Sequence, residues 1–331
     1  MAEGSYFFIT GTGRSGTTLL QAMLSRGRGV FIPQETHFMS LVWKHRHRLG
    51  PLTSESGWTA AKDAIFRRSE HAGIAMDPDD FERLTASGPR NYGVLLSAWL
   101  HAAAKAQTPA QDPPPTILGE KSPVHASYVL ELLAMLPEAR VVHIVRDPRD
   151  VAVGMRDVWN TPPTSAAVRW LIDQRRQQDL ESLVSPQRFV TVRYEDLVAQ
   201  PEAQLRRVCD VLAIGFTPDV LEHHRRTQTG FAEHETHKRQ TMQPVTTSRI
   251  GRYRRSLSPT AIAAIERVCG TQMERLGYEP EGYPRARGNL AVAAYAPSMV
   301  WRKLSQRVPA TRIARQAAWT KTGNTAPSVQ E

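Results

Sequence analysis

Cysteine is scarce. The 331-residue chain holds two, Cys209 and Cys269, too few for a disulfide framework and in keeping with a reducing compartment. Long apolar runs are missing as well: the uncharged stretch from Gly288 to Trp301 falls short of the roughly 18 apolar residues that a spanning helix needs. The opening MAEGSYFFIT has neither the basic start nor the apolar centre of a secretory signal, so a soluble, cytoplasmic protein is expected. No internal repeat or long low-complexity tract interrupts the pattern. With 41% hydrophobic and 22% charged residues, the composition is that of a globular protein with a sizeable core.

The net charge of +10 is unevenly spread. Eight cations and one anion lie between Arg285 and Glu331, which leaves +3 for the remainder. Within that tail Val300, Leu304 and Val308 recur every four residues beside Trp301, the spacing of a short amphipathic helix that Pro309 should end. Such a helix either packs on its own domain or makes peripheral contact with an anionic membrane or a partner. Nucleic acid is not expected, because no recognised module accompanies the charge. The chain thus divides into a domain over 1–284, with a helical region at about 38–115, and a basic extension over 285–331, partly helical and then disordered.

Ser5 to Thr10 reads as a buried strand, and Thr17 to Leu24 follows with apolar residues at helical spacing. QTPAQDPPP at 107–115 reads as a surface loop. Val124 to Leu136 reads as a helix stopped by Pro137, Val141 to Val145 as a buried strand and Phe189 to Tyr194 as another. Helices are expected over Pro201 to Leu212 and Pro259 to Leu276, the second with Ser258 as its N-cap and Gly277 at its end. Strands alternating with helices predict an α/β fold, a three-layer α/β/α arrangement around a central parallel sheet.

The chemistry concentrates first in Gly11-Thr12-Gly13-Arg14-Ser15-Gly16-Thr17-Thr18. Strand, glycine-rich turn and helix form a P-loop-like phosphate cradle, with backbone amides and a helix N-terminus turned toward an anion. The lysine that follows the second glycine of a nucleoside triphosphate loop is absent; Thr17 stands there and the cation has moved upstream to Arg14. ATP or GTP hydrolysis is therefore disfavoured, although a P-loop small-molecule kinase stays open as an alternative, as does a non-catalytic nucleotide binder recruited by its basic tail. His223, His224, His234 and His237 fall close together, but no cysteine accompanies them and the spacing matches no standard zinc pattern. A solvated basic loop, or one that flanks an acceptor pocket, is expected there, and no metal site.

Arg14-Ser15-Gly16-Thr17-Thr18 resembles the donor loop of sulfotransferases that use 3′-phosphoadenosine 5′-phosphosulfate (PAPS) and release 3′,5′-adenosine bisphosphate. Arg146-Asp147-Pro148-Arg149-Asp150-Val151-Ala152-Val153-Gly154 resembles the 3′-phosphate motif of that family, in which the leading Arg and a Ser eight positions later hold the phosphate; here the second position is Gly154. Arg193-Tyr194-Glu195-Asp196-Leu197 is similar to the strand end beside the adenosine, and Gly251-Arg252-Tyr253 to the late basic turn over the 3′-phosphate. The resemblance thus implies that Gly13, Arg14, Ser15, Gly16, Thr17, Thr18, Arg146, Gly154, Tyr194, Gly251, Arg252 and Tyr253 line the donor site. The spacing is closest to the tyrosylprotein branch and its bacterial relatives: Glu35 lies twenty-one residues after Arg14, and Lys121 twenty-five before Arg146.

That likeness implies Glu35 as general base, with His37 as the alternative, and Arg14 and Lys121 as stabilisers of the leaving phosphate, without a metal. Ile32 and Gly119 occupy the places where that branch's disulfide is expected, so the expected acceptor is a small molecule, glycan or lipid rather than protein tyrosine. Residues between Glu35 and Lys121, together with 155–185 and 215–248, are expected on the acceptor side. Trp43, Trp58, Trp99, Trp159 and Trp170 serve either there or in the core.

Overall fold

Five strands, β1 (Ser5–Thr10), β2 (Val30–Phe31), β3 (Ile117–Lys121), β4 (Arg140–Val145) and β5 (Phe189–Arg193), pair in parallel in the order β2-β3-β1-β4-β5. The structure, a computed structural model, describes residues 5–86, 88–108, 114–225, 241–284, 286, 288, 289 and 292. The amphipathic segment around Val300–Val308, the basic extension beyond it, His234, His237 and the centre of the proline-rich loop lie outside the described residues.

Twelve α-helices complete the described chain: α1 (Thr17–Leu24), α2 (Arg46–Leu49), α3 (Glu55–His71), α4 (Pro78–Ala86), α5 (Tyr92–Gln107), α6 (Val129–Met135), α7 (Pro148–Trp159), α8 (Pro163–Leu183), α9 (Tyr194–Ala199), α10 (Pro201–Leu212), α11 (Tyr253–Ser256) and α12 (Pro259–Arg275). Side chains alternate across the sheet. Phe7 and Ile9 of β1 face Leu20, Met23 and the α9–α10 pair, while Phe8 faces the helices between β2 and β3. A third cluster packs Val145 with α7, α8 and α12 around Trp170. Helices on both faces explain why β1 and β4 read as continuous apolar runs rather than alternating ones.

Most elements fall where the sequence places them, and the exceptions have physical causes. Tyr194 does not extend β5; it opens α9. The helix expected over Val124–Leu136 is broken, with a 3₁₀ turn over Pro123–Ser127 and α6 beginning after Tyr128 at φ −136°, ψ 20°. The tighter turn carries His125 inward against Glu120. Trp58, Trp99 and Trp170 are core residues, whereas Trp159 is exposed and Trp43 half-buried. His223 is buried rather than solvated; among the described residues no group of three or more His, Cys, Asp or Glu could hold a metal ion.

Chain order makes β1 the switch point: the chain leaves it toward β2 and β3 on one side, then returns to β4 and β5 on the other. Register pairs Ile9 with Lys121 and Thr10 with His143. The loop after β1, Lys121, Arg146 and Tyr194 therefore gather at the carboxyl ends of neighbouring strands, where open α/β sheets bind ligands.

Gly119 on β3 sits opposite Phe7, and a Cβ there would run into the Phe7 ring. Gly119→Ala should cost about 1–3 kcal/mol by overpacking. Phe7→Leu combined with it should cost less than the sum of the two single changes, as measured by urea midpoints.

Candidate active site

The loop after β1 is shaped to meet an anion. Ser15 N donates to Thr12 O, Leu20 N to Gly16 O, and the first turn of α1 has neither an acidic residue nor a side-chain cap. Its amides are thus left to a ligand carrying negative charge. Gly16 has φ +106°, and a Cβ on it would stand 2.7 Å from Cδ2 of Tyr194; glycine is what allows α1 to start beside that ring. Arg14 takes the left-handed region at φ 74°, a conformation that costs a non-glycine residue on the order of 1 kcal/mol. The buried Ser15 hydroxyl has no partner.

Three further arginines act on the cation of this loop. Arg146 donates from Nη1 to Arg14 O at 3.4 Å and from Nη2 to Arg249 O at 2.6 Å, and its guanidinium lies 4.2 Å above the Tyr194 ring. Arg14, Arg146, Arg249, Tyr194 and the start of α1 line one cavity. Burial lowers the Arg14 pKa to about 10, and Arg146, Arg249 and Arg252 push in the same direction against Asp157. Burial also lowers Arg249, helped by Arg252. Asp150 offers Arg146 a carboxylate 3.7 Å away, but its oxygens are occupied by Gly251 N at 2.8 Å and Tyr253 N at 2.9 Å. Clustered guanidinium groups with unpartnered Nε atoms on Arg14 and Arg146 form a seat for a multivalent anion.

Not every residue expected here reaches the cavity. The Tyr253 ring is buried under the Arg149 guanidinium, and its hydroxyl donates to Glu281 Oε1 at 2.5 Å. It belongs to the α7–α12 core, which corrects its place among donor-site side chains. Gly251 and Tyr253 act through backbone amides that hold the late turn on Asp150, and Arg252 pairs with Asp157 at 3.0 Å. Glu195 braces the strand ends, accepting from Asp147 N and the Tyr278 hydroxyl. Thr241, Gln243, Pro244, Val245 and Thr246 border the cavity of Arg14 and Arg146. Trp159, from the end of α7, covers Gly13.

A second group lies at the end of β3. Lys121, fully buried, donates from Nζ to Glu35 Oε1 at 2.5 Å, while the Glu35 carboxylate is 14% exposed. His37 Nε2 stands 3.8 Å from Glu35 Oε2. The segment carrying Glu35 is clamped from three sides: Gln21 Nε2 donates to Pro33 O, Arg68 donates to Glu35 O and Thr36 O, and Thr36 Oγ1 donates to Glu120 Oε1. Behind it, Glu120 meets His125 Nε2 in full burial. Burial pushes the Glu120 carboxyl up to about 7, outweighing the bond from Thr36, and burial drives the His125 imidazole well below its ordinary value. Both shifts favour the neutral forms of the acid and of the imidazole. Beside His37, a cavity bordered by Leu41, Leu49, Ala64, Arg67, Arg68 and His71 opens to solvent.

Arg249, Glu120, His125, Thr36 and Arg68 escape sequence reasoning. Arg249 has a signal, being two residues ahead of Gly251. Glu120 adjoins Lys121, but neighbours on a strand point to opposite faces, and only the fold shows that both are buried.

The family model described as "Sulfotransferase family" matches residues 7–218, and one described as "Sulfotransferase domain" matches 176–277. The omega-hydroxy-beta-dihydromenaquinone-9 sulfotransferase Stf3 of Mycobacterium tuberculosis is 31% identical over 134 residues, 36% of this chain and 34% of that protein. The match thus spans about a third of the mycobacterial relative's length. Protein-tyrosine sulfotransferase A of Caenorhabditis elegans is 24% identical over 84% of this chain and 68% of its own. Among solved structures, the sulfotransferase domain of the Synechococcus PCC 7002 olefin synthase superposes with a TM-score of 0.59 at 20% identity, covering 84% of this chain and 97% of that one. With the sheet, the anion loop and the matched span in agreement, the chain belongs to the sulfotransferase family.

Proposed function

We propose that the protein transfers a sulfuryl group from PAPS to a hydroxyl or amine of a small-molecule, glycan or lipid acceptor, with Glu35 as general base. The observation that carries this is the Lys121–Glu35 pair at the end of β3, one strand away from an anion loop that has no lysine after its second glycine. The donor supplies the sulfuryl group and, in its adenosine bisphosphate part, a good leaving group. The residues present fit it: unpartnered Ser15 and arginine Nε atoms and the open amides of α1 call for a ligand with more than one negative group.

The work of this chain divides between two poles. Ser15, Thr17, Thr18 and the loop amides would hold the 5′ end, and Arg146 and Arg249 would hold the 3′-phosphate, with Arg252 adding positive potential. Glu35 takes the acceptor's proton as the nucleophile attacks. Lys121 keeps the Glu35 carboxylate oriented and offsets negative charge that grows at the leaving oxygen. Arg68, Thr36 and Gln21 position the segment, so that the base is pre-organised rather than mobile. The cavity beside His37 suits the acceptor, since it adjoins the base and has an apolar floor. Basic residues of the extension would add peripheral contact with an anionic membrane.

Adenosine 3′,5′-bisphosphate should raise the melting temperature more than ATP with Mg²⁺ does, because a ligand stabilises the native state in proportion to its affinity; the reverse order would favour the kinase. Glu35→Ala should reduce sulfuryl transfer by about 10²–10⁴-fold while bisphosphate affinity is kept, and unchanged turnover would remove Glu35 as the base.

The pair beneath the base has its own signature. Glu120 keeps its proton in the fold up to about 7, against an ordinary value of 4.5. Between these values the folded chain binds the extra proton, so its stability falls as pH rises. Glu120→Gln removes this dependence, while the opposite contribution of His125 is largely common to both chains. Urea unfolding should therefore show the parent losing up to about 3 kcal/mol relative to the variant from pH 4.5 to 7; parallel curves would mean that Glu120 is ionised in the fold.

A further inference from the structure

Beside Lys121 on β3 stands a second carboxyl, that of Glu120, fully buried. A carboxyl in such a place is costly unless its oxygens are bonded. Oε1 accepts from Thr36 Oγ1 at 2.5 Å, and Oε2 meets His125 Nε2. Thr36 is buried as well, and its hydroxyl accepts from Phe38 N at 3.1 Å. A hydroxyl has one proton to give, so the bond to Glu120 fixes which way the Thr36 side chain points. Between Thr36 and Phe38 lies His37 at φ 56°, a left-handed conformation that a non-glycine residue keeps only where its surroundings require it. On the other side of Thr36 lies Glu35. Arg68 holds the carbonyls of Glu35 and Thr36, while Glu120 holds the Thr36 side chain. His125, fully buried, stands perpendicular to the Phe8 ring with 5.8 Å between centroids, which gives the Glu120 carboxyl a rigid backing.

We propose that Glu120 is a positioning residue for sulfuryl transfer: through Thr36 it sets the Glu35 carboxylate against Lys121. This rests on the reading of Glu35 as the base and adds to it a group buried away from the reacting atoms. Contacts in series, from His125 to Glu120, from Glu120 to Thr36 and along the backbone to Glu35, join the 3₁₀ turn after β3 to the segment after β2. Without the carboxyl, the buried Thr36 hydroxyl loses its acceptor, and His37 is released from the left-handed region. Glu35 then shifts relative to Lys121, and a misplacement of about 1 Å costs transfer about 100-fold. An amide at 120 does the same work, since its oxygen accepts from Thr36 and its nitrogen faces His125. Donor affinity does not depend on Glu120, whose partners are Thr36 and His125 rather than the arginine cluster or the loop after β1.

Substitutions at both ends of the Glu120–Thr36 contact test the proposal. Glu120→Ala should lower kcat for transfer from PAPS to 2-naphthol by about 10–100-fold and keep adenosine 3′,5′-bisphosphate affinity, measured by calorimetry, within a few-fold. Glu120→Gln should stay within a few-fold of the parent in both. Thr36→Val should match Glu120→Ala, Thr36→Ser should match the parent, and Glu120→Ala joined to Thr36→Val should cost no more than either alone. Crystal structures of the variants give a readout that needs no acceptor and decide the matter where 2-naphthol is not sulfated: Glu35 should leave Lys121 Nζ in Glu120→Ala and keep the contact in Glu120→Gln. An unchanged Glu35–Lys121 contact in Glu120→Ala would overturn the proposal, as would additive losses in the double variant or a loss in Glu120→Gln equal to that in Glu120→Ala. If Glu120→Ala does not fold, Thr36→Val and Thr36→Ser decide by the same measurements. Turnover that survives Glu35→Ala would remove the base reading itself, a result distinct from any failure at Glu120.

Discussion

An ammonium group buried at the end of a parallel strand is tolerable only with a partner, and the contact between Lys121 and Glu35 meets that demand. The pairing reaches across the fold, from β3 to the segment after β2, and it fixes the position of the Glu35 carboxylate. Everything around it keeps the pair in register. β1 holds Lys121 opposite Ile9, Arg68 from α3 grips the backbone of Glu35 and Thr36, and Gln21 ties the same segment to α1. The anion loop and the carboxylate are thereby attached to one rigid frame, the arrangement that transfer between two bound molecules requires.

The opposite pole is organised by repulsion left unresolved. Arg14, Arg146, Arg249 and Arg252 approach one another with Asp157 and Asp150 as the nearest acidic relief. Asp150 spends its oxygens on the amides of Gly251 and Tyr253, which holds the late turn in place. The fold thus retains positive potential instead of neutralising it, and the cavity suits an anion with more than one negative group. Tyr194 adds a flat surface beneath Arg146, and Gly16 permits its ring to approach the start of α1.

Much of this was legible in the residues themselves. The Gly11–Thr18 turn between an apolar run and a helix announced an anion cradle, because only small residues allow amides to converge. The run at Val141–Val145 announced a doubly covered strand, and Ser258 and Gly277 bounded α12 closely. Less legible were features set by distant neighbours. Nothing local distinguishes Trp99, a core residue, from Trp159, which is exposed. The break at Tyr128 follows from seating His125 against Glu120, and Tyr253 is withdrawn by Arg149 and Glu281, partners far along the chain.

By itself, the sequence determined the kind of fold and the location of its chemistry, because hydrophobic period, glycine placement and capping are local properties that act over a few residues. Tertiary structure alone decided which charges meet. Lys121 finds Glu35 across 86 positions, Arg146 reaches Arg249 across 103, and Arg14 comes to rest on Gly154. Such encounters depend on strand order and on which face each element buries. Those quantities are settled only when the sheet closes around β1 and every buried charge must find a partner or await a ligand.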